Sequence, residues 1–179
     1  MQLQTIDEKK IIEDSKKDPQ CFEALYNKYY EIILKFVFKR VESLDDCREV
    51  TAIVFTKALA NIGKYTHKGF PFSSWLYRIA INEIAQFYRN QSKHRIISLN
   101  EKGLNNIVDE AGKETELITV LKTALMYLPK NDLLLIELRY FEEKSFSEIG
   151  DILEITENNA KVKTYRAIDK LKKIYSKIS

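Results

Sequence analysis

Residues 145–171 read SFSEIGDILEITENNAKVKTYRAIDKL, and this stretch decides the fold. Ser145 and Glu148 have the spacing of a capping box, in which the Ser hydroxyl accepts from the third helical amide and the Glu reaches back to the cap amide. Ile149, Ile152 and Leu153 then fall on one face of a short helix. Thr156 can cap a second helix, and Glu157 places a negative charge in its first turn. From Ala160 onward, Thr164, Ala167, Ile168, Leu171, Ile174, Tyr175 and Ile178 share one side of that helix. Asn159, Lys163, Arg166, Lys170, Lys173 and Lys177 gather on the other. Two helices, a tight turn and a basic second face make a helix-turn-helix whose second helix can enter a major groove. A solvated lysine face on an ordinary bundle helix is the plainer reading of the same pattern.

The charge distribution sharpens the choice. Residues 161–179 carry seven Lys or Arg against one Asp, whereas residues 119–160 carry four against eight acids. Positive charge in the C-terminal half is therefore concentrated on its last helix, as an electrostatic footprint for phosphate requires. The whole chain of 179 residues, at a net charge of only +3, has five Gly and three Pro. Low Gly and Pro with long periodic runs imply an all-α fold. Cys21 and Cys47 form no CxxC pair and there are two His, so neither a metal site nor any cofactor is expected. The cysteines read as small buried hydrophobes in a reducing compartment. No apolar run is long enough to span a bilayer and the N-terminus is not a signal peptide, so a cytoplasmic protein without membrane insertion is expected.

The segment 5–17 is weakly amphipathic through Ile6, Ile11 and Ile12. Asp18-Pro19 starts a long helix, FEALYNKYYEIILKFVFKRV, with Phe22, Leu25, Tyr29, Ile32, Ile33 and Phe36 in helical period. Asp45 or Asp46 is expected to cap the next, with Val50, Val54, Ala58 and Ile62 inward and Gly63 at its end. The aromatic loop KYTHKGFPFSSW leads to a helix over residues 73–90. Its inner face is Leu76, Ile79, Ala80, Ile84 and Phe87, while Trp75, Arg78, Asn82, Gln86 and Arg89 lie elsewhere. A flat aromatic among Arg and amide side chains suits bases that have left the duplex. A core Trp75 with solvated Arg residues is the competing explanation. Residues 91–116, including His94, lose periodicity and read as a flexible linker. Relaxed, it reaches about 28 Å, and fully extended roughly 85 Å. Four helices follow, at about 116–127 and 130–141 and then the opening pair. The expected organisation is two small helical domains, 1–90 and 117–179, the second a helix-turn-helix (winged-helix-like) domain.

Taken together, the two halves resemble the extracytoplasmic-function group of bacterial sigma factors, promoter-specificity subunits of RNA polymerase. FEALYNKYY, VFTKAL (54–59) and FSSWLYRIAINEIAQFYR (72–89) resemble the family's region 2, and LPKNDLLLIELRYFEEKSFSEIGDILEITENNAKVKTYRAIDKL its region 4. The resemblance implies partners: core RNA polymerase, promoter DNA and, in many members, an anti-sigma factor. It implies polymerase binding around Glu49, Phe55 and Lys57. It implies that Trp75, Arg78, Asn82, Gln86 and Arg89 read and open the minus-ten element, where a base is extruded. Asn158, Asn159, Lys161, Lys163 and Arg166 would read the minus-thirty-five element in the major groove, with Lys170 and the following lysines on phosphate. Two positions depart from the family. Ala52 and Ile53 stand where a polar pair ending in an acid is usual, and Glu154 stands where the turn usually has Gly, which points to a turn of different shape.

A free-standing helix-turn-helix regulator with an N-terminal sensor or dimerisation domain is the alternative. An enzyme needs clustered carboxylates or a base with its nucleophile, and the sequence offers no such constellation. Because a relaxed linker keeps the domains close, the free protein is expected to be closed and to bind promoter DNA poorly alone.

Overall fold

The computed structural model describes residues 7–90 and 116–178. Helix α1 (Glu8–Lys17) is capped by Asp7, whose carboxylate accepts from the Lys10 amide at 3.2 Å. Asp18 accepts from the Gln20 amide at 2.9 Å and opens the 3₁₀ turn Pro19–Phe22, which runs into α2 (Glu23–Phe38). For α3 (Leu44–Asn61) the cap is Ser43, not either aspartate. Ser43 has the extended backbone a cap needs and accepts from the Asp46 amide at 3.0 Å, leaving Asp45 and Asp46 as first-turn charges. After the 3₁₀ turn Ile62–Lys64 and an aromatic loop comes α4 (Phe72–Asn90). The 91–115 part of the expected linker, with His94, lies outside the described residues.

The C-terminal half has α5 (Glu116–Met126), α6 (Lys130–Tyr140), α7 (Phe146–Leu153) and α8 (Glu157–Ile178). The capping box is present: Glu148 N donates to Ser145 Oγ at 3.1 Å, and Ser145 N to Glu148 Oε2 at 2.9 Å. Thr156 Oγ1 caps the Asn159 amide at 3.2 Å. Glu154 does not avoid the left-handed region; it ends α7 at φ 55°, ψ 41°. The turn thus keeps the shape that glycine would favour, against the sequence expectation. Tightness is supplied one turn earlier by Gly150, where a Cβ would lie 2.8 Å from Ile155 O. All described elements are helical, so the comparison with a winged helix extends to its helices and not to a β-wing.

The two halves share a core. Ile12, Leu25, Ile33, Phe36, Val54, Leu76 and Ile84 continue without a break into Leu134, Leu135 and Leu138 of α6, Ile149 and Ile152 of α7, and Ala160 of α8. Residues 133–138 of α6 are buried throughout, Glu137 among them, so more than one side of the helix is covered. One side packs on the N-terminal half while Leu133 and Ile136 join Leu125, Leu128 and Ala167 in a smaller cluster. At this seam Arg40 of the N-terminal half and Glu137 of α6 form an ion pair with both side chains at 0% exposure. Arg40 Nη1 also donates to Phe36 O at 2.6 Å, and its guanidinium lies 3.4 Å from the Phe36 ring centroid. Burial pushes the Glu137 carboxyl up from its ordinary range, opposed by the Arg40 charge. Tyr77 donates its hydroxyl to Glu142, which also faces Lys39 at 3.4 Å.

Candidate nucleic-acid interface

Two cationic surfaces can be built from these elements. The first is a cleft of about 430 Å³ between the start of α4, the end of α3 and the aromatic loop. Phe72 is fully buried at the first position of α4, and its ring organises the wall: Tyr65 and Trp75 both lie 5.3 Å from it between centroids. Tyr65 and Trp75 are 4.7 Å apart, tilted at 39°. Burial, with the nearby Glu8 and Asp151 charges, pushes the Tyr65 hydroxyl up to about 12, so it stays a neutral donor at physiological pH. Trp75, Arg78 and Asn82 are spaced by three and four residues along α4, which puts them on one line of the helix. All three line the cleft together with Asn61, Lys64 and Lys68. This gives stacking surface, an amide for base edges and several cations for phosphate.

The five residues expected on this face of α4 are thus divided. Gln86 lines a second cleft with Glu49, Val50, Ile53 and Phe87, while Arg89 is exposed and donates to Gln86 at 2.8 Å. Lys57 lines both clefts and is bridged to Glu83 at 2.7 Å. Of the residues expected to face polymerase, Glu49 and Lys57 are exposed, but Phe55 is not. Phe55 is 3% exposed and packs edge-on against Tyr26 at 4.9 Å, so it supports the surface from beneath. Its neighbour Ile53, one of the two departures from the family pattern, is 36% exposed and offers an apolar contact where the family has charge.

The second surface is the basic face of α8. Asn158, Asn159, Lys161, Lys163 and Arg166 are all exposed near its N-terminal end, opposite buried Ala160, Thr164 and Ala167. Lys170 is exposed too, and its ammonium sits 2.6 Å from Asp132 of α6. The face therefore offers a bare N-terminal third and a more anchored middle.

The first surface touches the helix-turn-helix through α7 and the turn that follows it. Arg78 Nη2 lies 2.8 Å from Asp151 Oδ1 and donates to Asp151 O at 2.6 Å, while Arg78 Nη1 is 3.5 Å from Glu154 Oε1. Asp151 thereby forms part of the wall of the first cleft. Nothing in the sequence spacing signals this pairing, because its partners are more than seventy residues apart.

Every described element is helical, with a helix-turn-helix at one end and a cationic, aromatic cleft at the other, an arrangement suited to reading DNA at two places. Comparison with known proteins makes this specific. Residues 25–94 match Sigma-70 region 2 and residues 118–171 match Sigma-70, region 4. The chain belongs to the sigma factors of RNA polymerase, the subunits that direct promoter-specific transcription initiation. It is 28% identical over 166 residues to RNA polymerase sigma factor YlaC of Bacillus subtilis, covering 90% of this chain and 95% of that one. It is 24% identical over 177 residues to the ECF RNA polymerase sigma factor SigW of the same organism, covering 92% and 94%. Among solved structures, CnrH in complex with the cytosolic domain of CnrY has the same fold, with a TM-score of 0.66 at 18% identity over 96% of this chain and 99% of that one. No helix among the described residues is long and apolar enough to cross a membrane.

Proposed function

We propose that the Trp75–Arg78–Asn82 cleft takes an unstacked base and the adjoining strand of the minus-ten element, while α8 reads the minus-thirty-five element as duplex. Asn158, Asn159, Lys161, Lys163 and Arg166 supply base and phosphate contacts, and Lys170 to Lys177 supply grip on phosphate. The surface around Glu49, Ile53 and Lys57 docks on core polymerase, with Gln86 beside it. Residues 1–90 and 117–179 act as separate reading units joined through 91–116. The protein works in the cytoplasm, carries out no chemistry of its own, and is open to capture by a cytosolic protein domain, as CnrH is by CnrY.

The observation that carries this reading is the pairing of Arg78 with Asp151 and Glu154, which joins the cleft to the helix-turn-helix in one closed body. Elements centred about 25 base pairs apart are separated by roughly 85 Å along the duplex at 3.4 Å per step. A closed body with α4 against α7 cannot hold both, so the halves separate on polymerase. Trp75→Ala and Asn82→Ala should slow promoter opening, read as permanganate reactivity of the minus-ten strand, more than they weaken closed-complex binding. Equal loss of both favours a duplex-only regulator.

A further inference from the structure

Helix α1 precedes both matched segments, yet it holds the minus-ten cleft in shape. Glu8 is its first residue, and the carboxylate collects three donors from elsewhere in the fold. The Phe72 amide donates to Oε1 at 2.8 Å, while Lys28 Nζ at 2.7 Å and the Tyr29 hydroxyl both donate to Oε2. The Phe72 amide is the first of α4, one of the four that no helix can satisfy internally. Glu8 therefore caps α4 from a different helix, 64 residues away, and adds a negative charge where the helix dipole favours one. The same helix α1 packs against the Ile62–Lys64 turn at the other end of the aromatic loop. Both ends of the 62–72 loop are thus fastened to α1. What lies between is the cleft wall: Phe72, with Tyr29 at 6.0 Å on one side and Tyr65 and Trp75 on the other.

We propose that Glu8 is a positioning residue for promoter opening, fixing the Phe72 end of the loop so that Tyr65 and Trp75 present a preformed slot to the extruded base. This rests on the reading of that cleft as the minus-ten site. Glu8 does not touch DNA in this arrangement; it acts through Phe72. A purely structural ion pair would affect every activity alike, whereas a positioning role affects opening and the surroundings of Trp75. Trp75 is the chain's single tryptophan, so its emission reports the cleft directly.

The test uses the full chain with core polymerase on a promoter mapped by run-off transcription, comparing Glu8→Ala, Glu8→Gln and Trp75→Ala. Glu8→Ala should leave closed-complex affinity within about twofold, slow opening by about tenfold, the scale of one charge-assisted hydrogen bond, and raise the accessibility of Trp75 to acrylamide. Glu8→Gln, which can still accept from the Phe72 amide, should recover part of both effects. Wild-type opening and Trp75 quenching in Glu8→Ala, alongside defective opening in Trp75→Ala, would overturn the role of Glu8 and leave the cleft reading intact. Unimpaired opening in Trp75→Ala would overturn both. Equal loss of closed binding and opening in Glu8→Ala also overturns the proposal. If Glu8→Ala fails to fold, Glu8→Gln decides on the same readouts: slower opening with altered quenching supports the role, and wild-type values refute it.

Discussion

Arg78 of α4 and Asp151 of α7 are joined twice, side chain to side chain at 2.8 Å and side chain to backbone carbonyl at 2.6 Å. The contact occupies a cation of the cleft with an acid of the helix-turn-helix. Arg78 is 22% exposed and Asp151 13%, so the pair is partly shielded from solvent but still reachable by a competing phosphate. Removing the acid should release the cation for DNA. Asp151→Ala is expected to raise the affinity of the isolated protein for a single-stranded minus-ten oligonucleotide about three- to tenfold, the equivalent of roughly 1 kcal/mol. Fluorescence anisotropy measures it, and an affinity at or below wild type would count against competition at Arg78.

The Arg40–Glu137 pair closes the seam from inside. Arg40 has partners in its own half, the Phe36 carbonyl and ring, whereas Glu137 reaches across to it. Arg40 Nε and Glu137 Oε1 make no hydrogen bond among the described residues, so burial of the two charges is incompletely offset there. Deleting one partner of a buried pair costs about 3–5 kcal/mol, while replacing both by apolar residues is neutral to stabilising by about 1–4 kcal/mol. Glu137→Ala should therefore open the seam, seen as a larger radius of gyration and faster proteolysis within 91–116. The double variant Arg40→Leu/Glu137→Leu should stay compact and transcribe more slowly with core polymerase, because the closed form is favoured. A double variant as open as Glu137→Ala would contradict the assignment.

Glu154 and Gly150 divide the work of the turn. Glu154 bears a left-handed backbone that costs a non-glycine residue of order 1 kcal/mol. Glu154→Gly should raise the thermal midpoint of the C-terminal half while weakening its hold on Arg78. Gly150→Ala should do the opposite, because its Cβ would strike the Ile155 carbonyl, at a cost of about 1–3 kcal/mol. Differential scanning calorimetry on the two variants checks both signs.

Glu8 gives the fold an acid-sensitive joint. Burial alone would raise its carboxyl, but hydrogen bonds from Lys28, Tyr29 and the Phe72 amide outweigh that and hold it below its ordinary value. A depressed carboxylate contributes stability that is complete above its unfolded pKa, about 4.3, and is lost as pH falls through the folded value. The gap in thermal midpoint between wild type and Glu8→Gln should be widest near neutral pH and shrink below about pH 4. A constant gap would show that the charge of Glu8 contributes nothing.

Helical periodicity made the elements legible because most of them bury one stripe. The Ser145–Glu148 box, the Thr156 cap and the inward Ala160, Thr164 and Ala167 are where their spacing places them. The seam was harder to see. Tyr77 is 1% exposed, packed edge-on against Phe36, and the spacing of α4 gives no sign that its hydroxyl donates to Glu142 of the other half. One signal was available in LLLIEL at residues 133–138, where five apolar residues in six leave more than one face of the helix to be covered. Phe55 is buried for a related reason. A resemblance supplies the docking helix but not which of its faces α2 covers, and Tyr26 and Tyr30 cover that of Phe55. Glu8 had no local signal at all, since its three donors come from residues 28, 29 and 72.

The most direct measurement is the distance between spin labels at two exposed positions, Glu31 of α2 and Lys172 of α8. Double electron–electron resonance on the free protein should give one short, narrow distribution. With core polymerase and promoter DNA it should lengthen by tens of ångströms, toward the roughly 85 Å separation of the two elements. An unchanged distance in the transcribing complex would contradict a closed body that opens to read both.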